Sequence, residues 1–339
     1  MVETFHKNDI RVIMDVVYNH VYDMEASSFE KVVPYYYFRR SNTGALSNGS
    51  FCGNDFDSNR LMARKYILDS IKLWMTEYDV DGFRFDLMGV LDIETMNQVE
   101  ALCRAIKKDS LVYGEGWNMP TSLPENMKAN RYNQHLMPNI GHFNDFFREH
   151  VKGKTSHEEV NVKGYCAGDT SYIEAMKACM VGTSVNNMVR LFDKPTQSIN
   201  YIECHDNHTV WDKLKESNKE DNREVRIKRQ KLMMGTLLLA QGIPFINSGQ
   251  EFCRTKNGYH NTYRSPDTIN QIDWTRKERY LEVFRYTKDL IQLRKMFPIL
   301  RLTQSDMIES HVKFREFDGM LILNYTCQKS NPYSEIWIY

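Results

Sequence analysis

Short apolar runs alternate with longer helical patterns along most of this chain, and no other feature restricts its fold as strongly. Six runs read as buried strands: residues 11–17 (RVIMDVV), 81–87 (DGFRFDL), 111–114 (LVYG), 138–144 (PNIGHFN), 199–205 and 243–248 (IPFINS). Between them lie helical patterns. Ile67, Ile71, Trp74 and Tyr78 recur at spacings of four, three and four, which places them on one helix face. Asp92 stands where an N-cap belongs, ahead of the stripe Ile93, Met96, Val99, Leu102 and Ile106. Residues 223–240 and 279–297 supply two more helices. Strands that alternate with helices predict a parallel β/α architecture. After Pro298 the pattern turns strand-like, at 320–325 (MLILNY) and 335–339 (EIWIY). The expected organisation is therefore a β/α domain over residues 1–300 and the beginning of a β domain over 301–339.

Composition narrows the function classes. Lysine plus arginine equals aspartate plus glutamate at 44 each, so no basic surplus argues for nucleic acid and a neutral partner fits best. Seven cysteines stand singly, with no CxxC pair, which points to reduced thiols and a cytoplasmic setting. No apolar run approaches the ~20 residues of a membrane span. The histidines are dispersed and form no HExxH, so no catalytic metal is expected. The basic run 223–231 (REVRIKRQK) reads as a solvated helix face, and Tyr35-Tyr36-Tyr37 as loop packing before sugar contact.

In a parallel β/α fold the loops at the carboxyl ends of the strands form the ligand site. Here those ends carry the polar residues. The first strand gives Asp15 and then Asn19-His20; the second Arg84 and Asp86; the third Glu115, boxed by glycines and followed by Trp117; the fifth His205-Asp206-Asn207. Each alone has a structural explanation as a cap, a turn or a satisfied core group. Their joint placement suits glycoside hydrolysis. A retaining glycosidase needs one ionised carboxylate as nucleophile and one protonated acid, about 5–5.5 Å apart. Arg84 and Asp86 are two apart on one strand, so both side chains take the same face, and a guanidinium keeps a neighbouring carboxylate ionised. Glu115 is expected beside anions and the Trp117 indole, a setting that retains a proton. Asp206 adds a negative charge near an oxocarbenium-like transition state, while His20 and His205 can hydrogen-bond sugar hydroxyls.

DVVYNH (15–20), GFRFDLMG (82–89), YGEGW (113–117) and YIECHDN (201–207) resemble, in order, the four signature regions of the α-amylase superfamily. The wording is most similar to the type I pullulanase branch. FEKVVPYYYFRR, GSFCGNDFDSNR, MPNIGHFNDFFR, QGIPFINSGQEF and SPDTINQIDW extend the likeness over nearly the whole chain. The resemblance implies Asp86 as nucleophile, Glu115 as general acid/base and Asp206 as transition-state stabiliser. His20, Arg84, Trp117, His205 and Asn207 follow as substrate-binding groups, with Tyr263, Asp267 and Asn270 in a late substrate loop. It also implies an α-glucan substrate, cleavage of α-1,6 branch linkages, and no required cofactor. A structural calcium held by oxygens such as Asn19 occurs in relatives, but the sequence assigns it no ligand set. The implied fold is a (β/α)8 TIM barrel, of which the six strands counted here correspond to strands 3–8. The first two βα units and a YNWGY-type segment are not found, and the C-terminal β domain stops early, so the expectation is a chain truncated at both ends. Two other readings stay open: a different α-glucan hydrolase of the superfamily, isoamylase- or amylase-like, and a non-catalytic fragment that only binds glucan.

Overall fold

The computed structural model describes residues 1–327 and 334–338, and the chain divides into two compact units, Met1–Phe143 and Asn144–Tyr339. In the first unit β1 (Ile13–Val16) is followed by a short antiparallel pair, β2 (His20–Val21) and β3 (Asn54–Asp55). Then come β4 (Gly82–Phe85), β5 (Leu111–Gly114) and β6 (Gly141–Asn144). β1, β4 and β5 run parallel in register, with Asp15 opposite Arg84 and Arg84 opposite Tyr113, and β5 continues onto β6 through Tyr113 and Gly141. The parallel β/α pattern expected from the sequence is thus present.

The helix Leu61–Glu77 connects β3 to β4 and buries Ala63, Ile67, Ile71 and Met75. A strict spacing of four selects this stripe, so Met75 takes the place expected for Tyr78, which is 54% exposed. The next helix, Ile93–Ile106, starts at the expected cap. Asp92 accepts from the Thr95 amide at 2.9 Å and from the Ser58 hydroxyl at 2.6 Å, and Arg64 pairs with it at 3.1 Å. Loss of such a cap costs ~1 kcal/mol. The core of this unit forms around Phe83 and Phe85, both fully buried, against Ile67, Ile71, Met96 and Val99. Truncating either phenylalanine to alanine would cost about 3–5 kcal/mol. Tyr36 and Tyr37 meet at 5.1 Å and Tyr37 stacks on Phe56 at 5.8 Å, so packing accounts for two of the three consecutive tyrosines.

The second unit holds β7 (Ser198–Asn200) and β8 (Ile243–Pro244), parallel to one another. Both are shorter than the expected runs. Beyond Asn200 the chain spends its hydrogen bonds on side chains: Glu203, 1% exposed, accepts from the Val210 amide at 2.7 Å and from Asn247 Nδ2 at 2.8 Å. The helices Arg223–Leu239 and Leu281–Met296 follow the expected ranges closely. The basic run at the start of the former is more than a solvated face: Arg226 lies over the Trp211 ring at 5.3 Å and Arg229 pairs with Asp221 at 2.6 Å. An antiparallel sheet closes the unit, with β9 (Val312–Phe317), β10 (Met320–Thr326) and β11 (Glu335–Ile338) in the order β11-β10-β9. Of the expected final strand, Tyr339 lies outside the described residues. The core runs unbroken from Leu237, Leu238 and Leu290 into Leu321, Leu323 and Tyr325. No helix among the described residues is long and apolar enough to cross a membrane.

Candidate active site

Cross-strand register builds the first cluster. Because Asp15 and Arg84 sit opposite each other on β1 and β4, the guanidinium reaches Asp15 Oδ1 with Nη1 at 2.7 Å. The same Nη1 donates to Asp86 Oδ1 at 3.1 Å, so Arg84 and Asp86 share a face as expected. Nη2 pairs with Glu115 Oε1 at 2.7 Å. Burial works against the charge on Arg84, but Glu115, Asp15 and Asp86 outweigh it and hold the guanidinium above its usual range. The Phe143 ring lies 5.9 Å from its centre. The guanidinium expected beside Asp86 therefore serves Glu115 as well.

Second contacts hold each acid. Asn19, fully buried, donates through Nδ2 to the Asp86 carbonyl at 2.6 Å and to Asp86 Oδ2 at 2.8 Å. Its oxygen meets His20 Nδ1, so Asn19 orients both His20 and Asp86. Glu115 Oε2 accepts from the Leu87 amide at 3.1 Å. Leu87 turns that amide toward it by adopting a left-handed conformation (φ 37°), which is uncommon for a residue other than glycine.

Close packing explains the two glycines around Glu115. A Cβ on Gly114 would lie 2.6 Å from the Phe85 carbonyl oxygen, and one on Gly116 would lie 2.2 Å from Nδ1 of buried His142. The end of β5 can approach β4 and β6 this closely only because neither glycine has a side chain. Trp117 belongs to the same turn, its carbonyl 1.8 Å from where a Gly89 Cβ would stand, and its side chain is partly exposed.

The remaining candidates lie in the second unit. His205 and Asp206 are exposed in the loop after β7, 3.7 Å apart between Nε2 and Oδ1, and Asn207 follows with φ 62°. Tyr263 is 74% exposed, with Arg264 over its ring at 5.1 Å. Asp267 opens the short helix Asp267–Asn270. Asn270 donates to the carbonyls of Thr262 at 2.7 Å and Ser265 at 3.0 Å, so its amide protons brace the loop that presents Tyr263.

The structure therefore joins Asp15, Asn19, His20, Arg84, Asp86 and Glu115 in one hydrogen-bonded network, and within the second unit it collects His205, Asp206 and Asn207 on one loop. Sequence reasoning passed over Asp15 and Asn19 as ligands of that network, although the Asp15 and Asn19-His20 positions at the first strand end were a signal. Among the described residues no group of three or more His, Cys, Asp or Glu side chains is placed to hold a metal.

The family model described as "Alpha amylase, catalytic domain" matches residues 45–279. The pullulanase of Bacillus subtilis strain 168 is 46% identical over 314 residues, 92% of this chain and 44% of that protein. Pullulanase 1, chloroplastic, of Arabidopsis thaliana is 28% identical over 81% of the chain and 34% of its own length. The crystal structure of type I pullulanase from Bacillus subtilis str. 168 complexed with maltose superposes with a TM-score of 0.93 at 44% identity, covering 96% of this chain and 46% of the other. A pullulanase from Anoxybacillus sp. LM18-11 complexed with maltotriose gives 0.95 at 45% identity, over 99% and 48%. The chain thus spans less than half the length of these relatives. The fold is that of a partial (β/α)8 barrel followed by an antiparallel sheet.

Proposed function

We propose that this chain, which belongs to the α-amylase family and groups with its type I pullulanases, carries the catalytic acids of a retaining glycoside hydrolase that cleaves α-1,6 branch linkages in pullulan and related α-glucans. The observation that carries the reading is the Asp86–Arg84–Glu115 constellation at adjacent parallel strand ends.

In this reading Asp86 attacks the anomeric carbon while Glu115 gives its proton to the departing glycosidic oxygen. Water then attacks the glycosyl–Asp86 ester from the same side that the leaving group vacated, and Glu115 takes that water's proton. Asn19 and Arg84 each hold one Asp86 oxygen, so the nucleophile meets the sugar in one orientation. The Leu87 amide and Arg84 both donate to Glu115, which orients it as the carboxylate that takes the proton from water. Preorganisation of this kind lowers the barrier because no dipole has to turn during the reaction. Asp206 is assigned to the developing positive charge on the ring, and His20, His205 and Asn207 to sugar hydroxyls. Trp117, Tyr263 and Asp267 are outer contacts. Asn270 is assigned through its bracing of the Tyr263 loop. The substrate is a neutral polysaccharide, in keeping with the equal numbers of acidic and basic residues. The free cysteines support a reducing, cytoplasmic setting.

The test is hydrolysis of pullulan followed by chromatography of the products. Maltotriose release by the purified protein, reduced about 1,000-fold or more by Asp86→Ala and by Glu115→Gln, is expected. Cleavage of linear maltooligosaccharides with pullulan left intact would favour an amylase-like specificity. Glucan binding without any hydrolysis would favour the non-catalytic reading.

A further inference from the structure

Lys256 is 3% exposed, and among the described residues no carboxylate forms a direct ion pair with it. A buried ammonium is costly unless its protons are used. Here they are used on two loops at once: Nζ donates to the His205 carbonyl at 3.1 Å and to Thr262 Oγ1 at 3.3 Å. The His205 carbonyl belongs to the peptide bond whose nitrogen is that of Asp206. Thr262 directly precedes Tyr263.

We propose that Lys256 is a positioning residue that ties the loop carrying Asp206 to the loop carrying Tyr263, so that glucan seated on the second loop steadies the acid on the first. The proposal rests on the glycosidase reading above. Its geometric basis is that Lys256 is itself anchored. Asp212, 1% exposed, accepts the Lys256 amide at 2.7 Å and the Thr255 hydroxyl at 2.5 Å. Asp212 in turn sits in the first turn of the helix Val210–Ser217, where its amide donates to the capping Thr209 Oγ1 at 3.1 Å. The ammonium thus projects from a fixed base. Burial pulls the Lys256 pKa down, and the charges of Glu203 and Asp206 oppose that pull. Removing the ammonium frees the His205 peptide plane to rotate and lets Asp206 swing with it. Small displacements of a catalytic group lower the rate far more than they lower affinity.

The experiment compares Lys256→Met, Lys256→Arg and Thr262→Val with wild type on pullulan, together with thermal melting. Lys256→Met is expected to lower kcat about tenfold or more with KM within about twofold and without a matching loss of melting temperature. Lys256→Arg, which keeps a charged donor, is expected to stay within about threefold of wild-type kcat. Thr262→Val removes only the second contact and is expected to raise KM about threefold with kcat little changed. Wild-type kcat in Lys256→Met, activity losses that merely track the unfolded fraction, or unchanged KM in Thr262→Val would overturn the assignment. If wild type itself leaves pullulan intact, the glycosidase reading falls and the role of Lys256 falls with it; an active wild type with an indifferent Lys256→Met sinks this inference alone.

Discussion

Replacing Arg84 by lysine keeps the positive charge and removes the fork. In the native site Nη1 serves Asp15 and Asp86 at 2.7 and 3.1 Å while Nη2 serves Glu115 at 2.7 Å. A single ammonium on a shorter stem can take over one of those positions, so at least one charge-assisted hydrogen bond to a catalytic carboxylate is lost. Such a bond is worth about 1.5–3 kcal/mol. Where that loss falls on transition-state geometry, at about 1.4 kcal/mol per tenfold in rate, kcat drops by about 12- to 140-fold. Stability should change less, since the charge that offsets the three carboxylates remains. Arg84→Met is the harsher control. It leaves three carboxylates facing each other without their cation, but Asp15 is half-exposed and Asp86 partly so, and solvent keeps the cost below the roughly 3–5 kcal/mol of a fully buried pair. Steady-state kinetics on pullulan combined with urea unfolding separates the two effects. An Arg84→Lys protein with wild-type kcat would refute the argument that the fork geometry holds the acids in place.

Further expectations follow from the same contacts. Gly116→Ala would place a Cβ 2.2 Å from the buried His142 ring, so about 1–3 kcal/mol of stability should be lost, read by urea unfolding, and activity should fall with it because Glu115 is adjacent. Burial, aided by the Arg131 charge, pushes the His142 imidazole down to about 3, whereas an unfolded histidine titrates near ~6.5. Between those values the unfolded chain holds a proton that the folded chain lacks, so stability falls as pH drops, by ~1.4 kcal/mol per pH unit. Unfolding free energies at pH 6.5 and 4.5 should show this decline, and His142→Gln should flatten it by roughly 2.3 kcal/mol over that span. The thiols offer a third check. Cys52 is exposed, while Cys103, Cys166, Cys179 and Cys253 are buried. A thiol reagent should modify Cys52 rapidly in the native protein and those four only after denaturation.

Much of this was legible in the sequence because period and strand ends are local signals. The Asp92 cap, the helix faces around Ile67 and Val99, and the order of polar clusters after each strand all depend on a few neighbouring residues. The glycines around Glu115 were visible as letters, but the reason for them, the Phe85 carbonyl and the His142 ring, comes from segments about 30 residues away. The shared Arg84 fork was half legible. Two-residue spacing linked it to Asp86, whereas its contacts with Asp15 and Glu115 depend on the register of three strands. Strands β7 and β8 were overextended because apolar runs give no warning that Glu203 and Asn247 will take over the hydrogen bonding. β9 escaped notice because half of VKFREF is charged and it pairs as an edge strand. Lys256 carries no local signal at all: a lysine in a polar loop reads as solvated, and only the fold closes over it.

The central claim is that Asp86 attacks and Glu115 shuttles the proton. Proton NMR of sugars released from pullulan, recorded before mutarotation, tests it most directly. Two successive inversions at the anomeric carbon predict that the α-anomer of maltotriose appears first and that Asp86→Ala abolishes its release. First appearance of the β-anomer would mean that water attacks directly, and Asp86 would then lose the role of nucleophile.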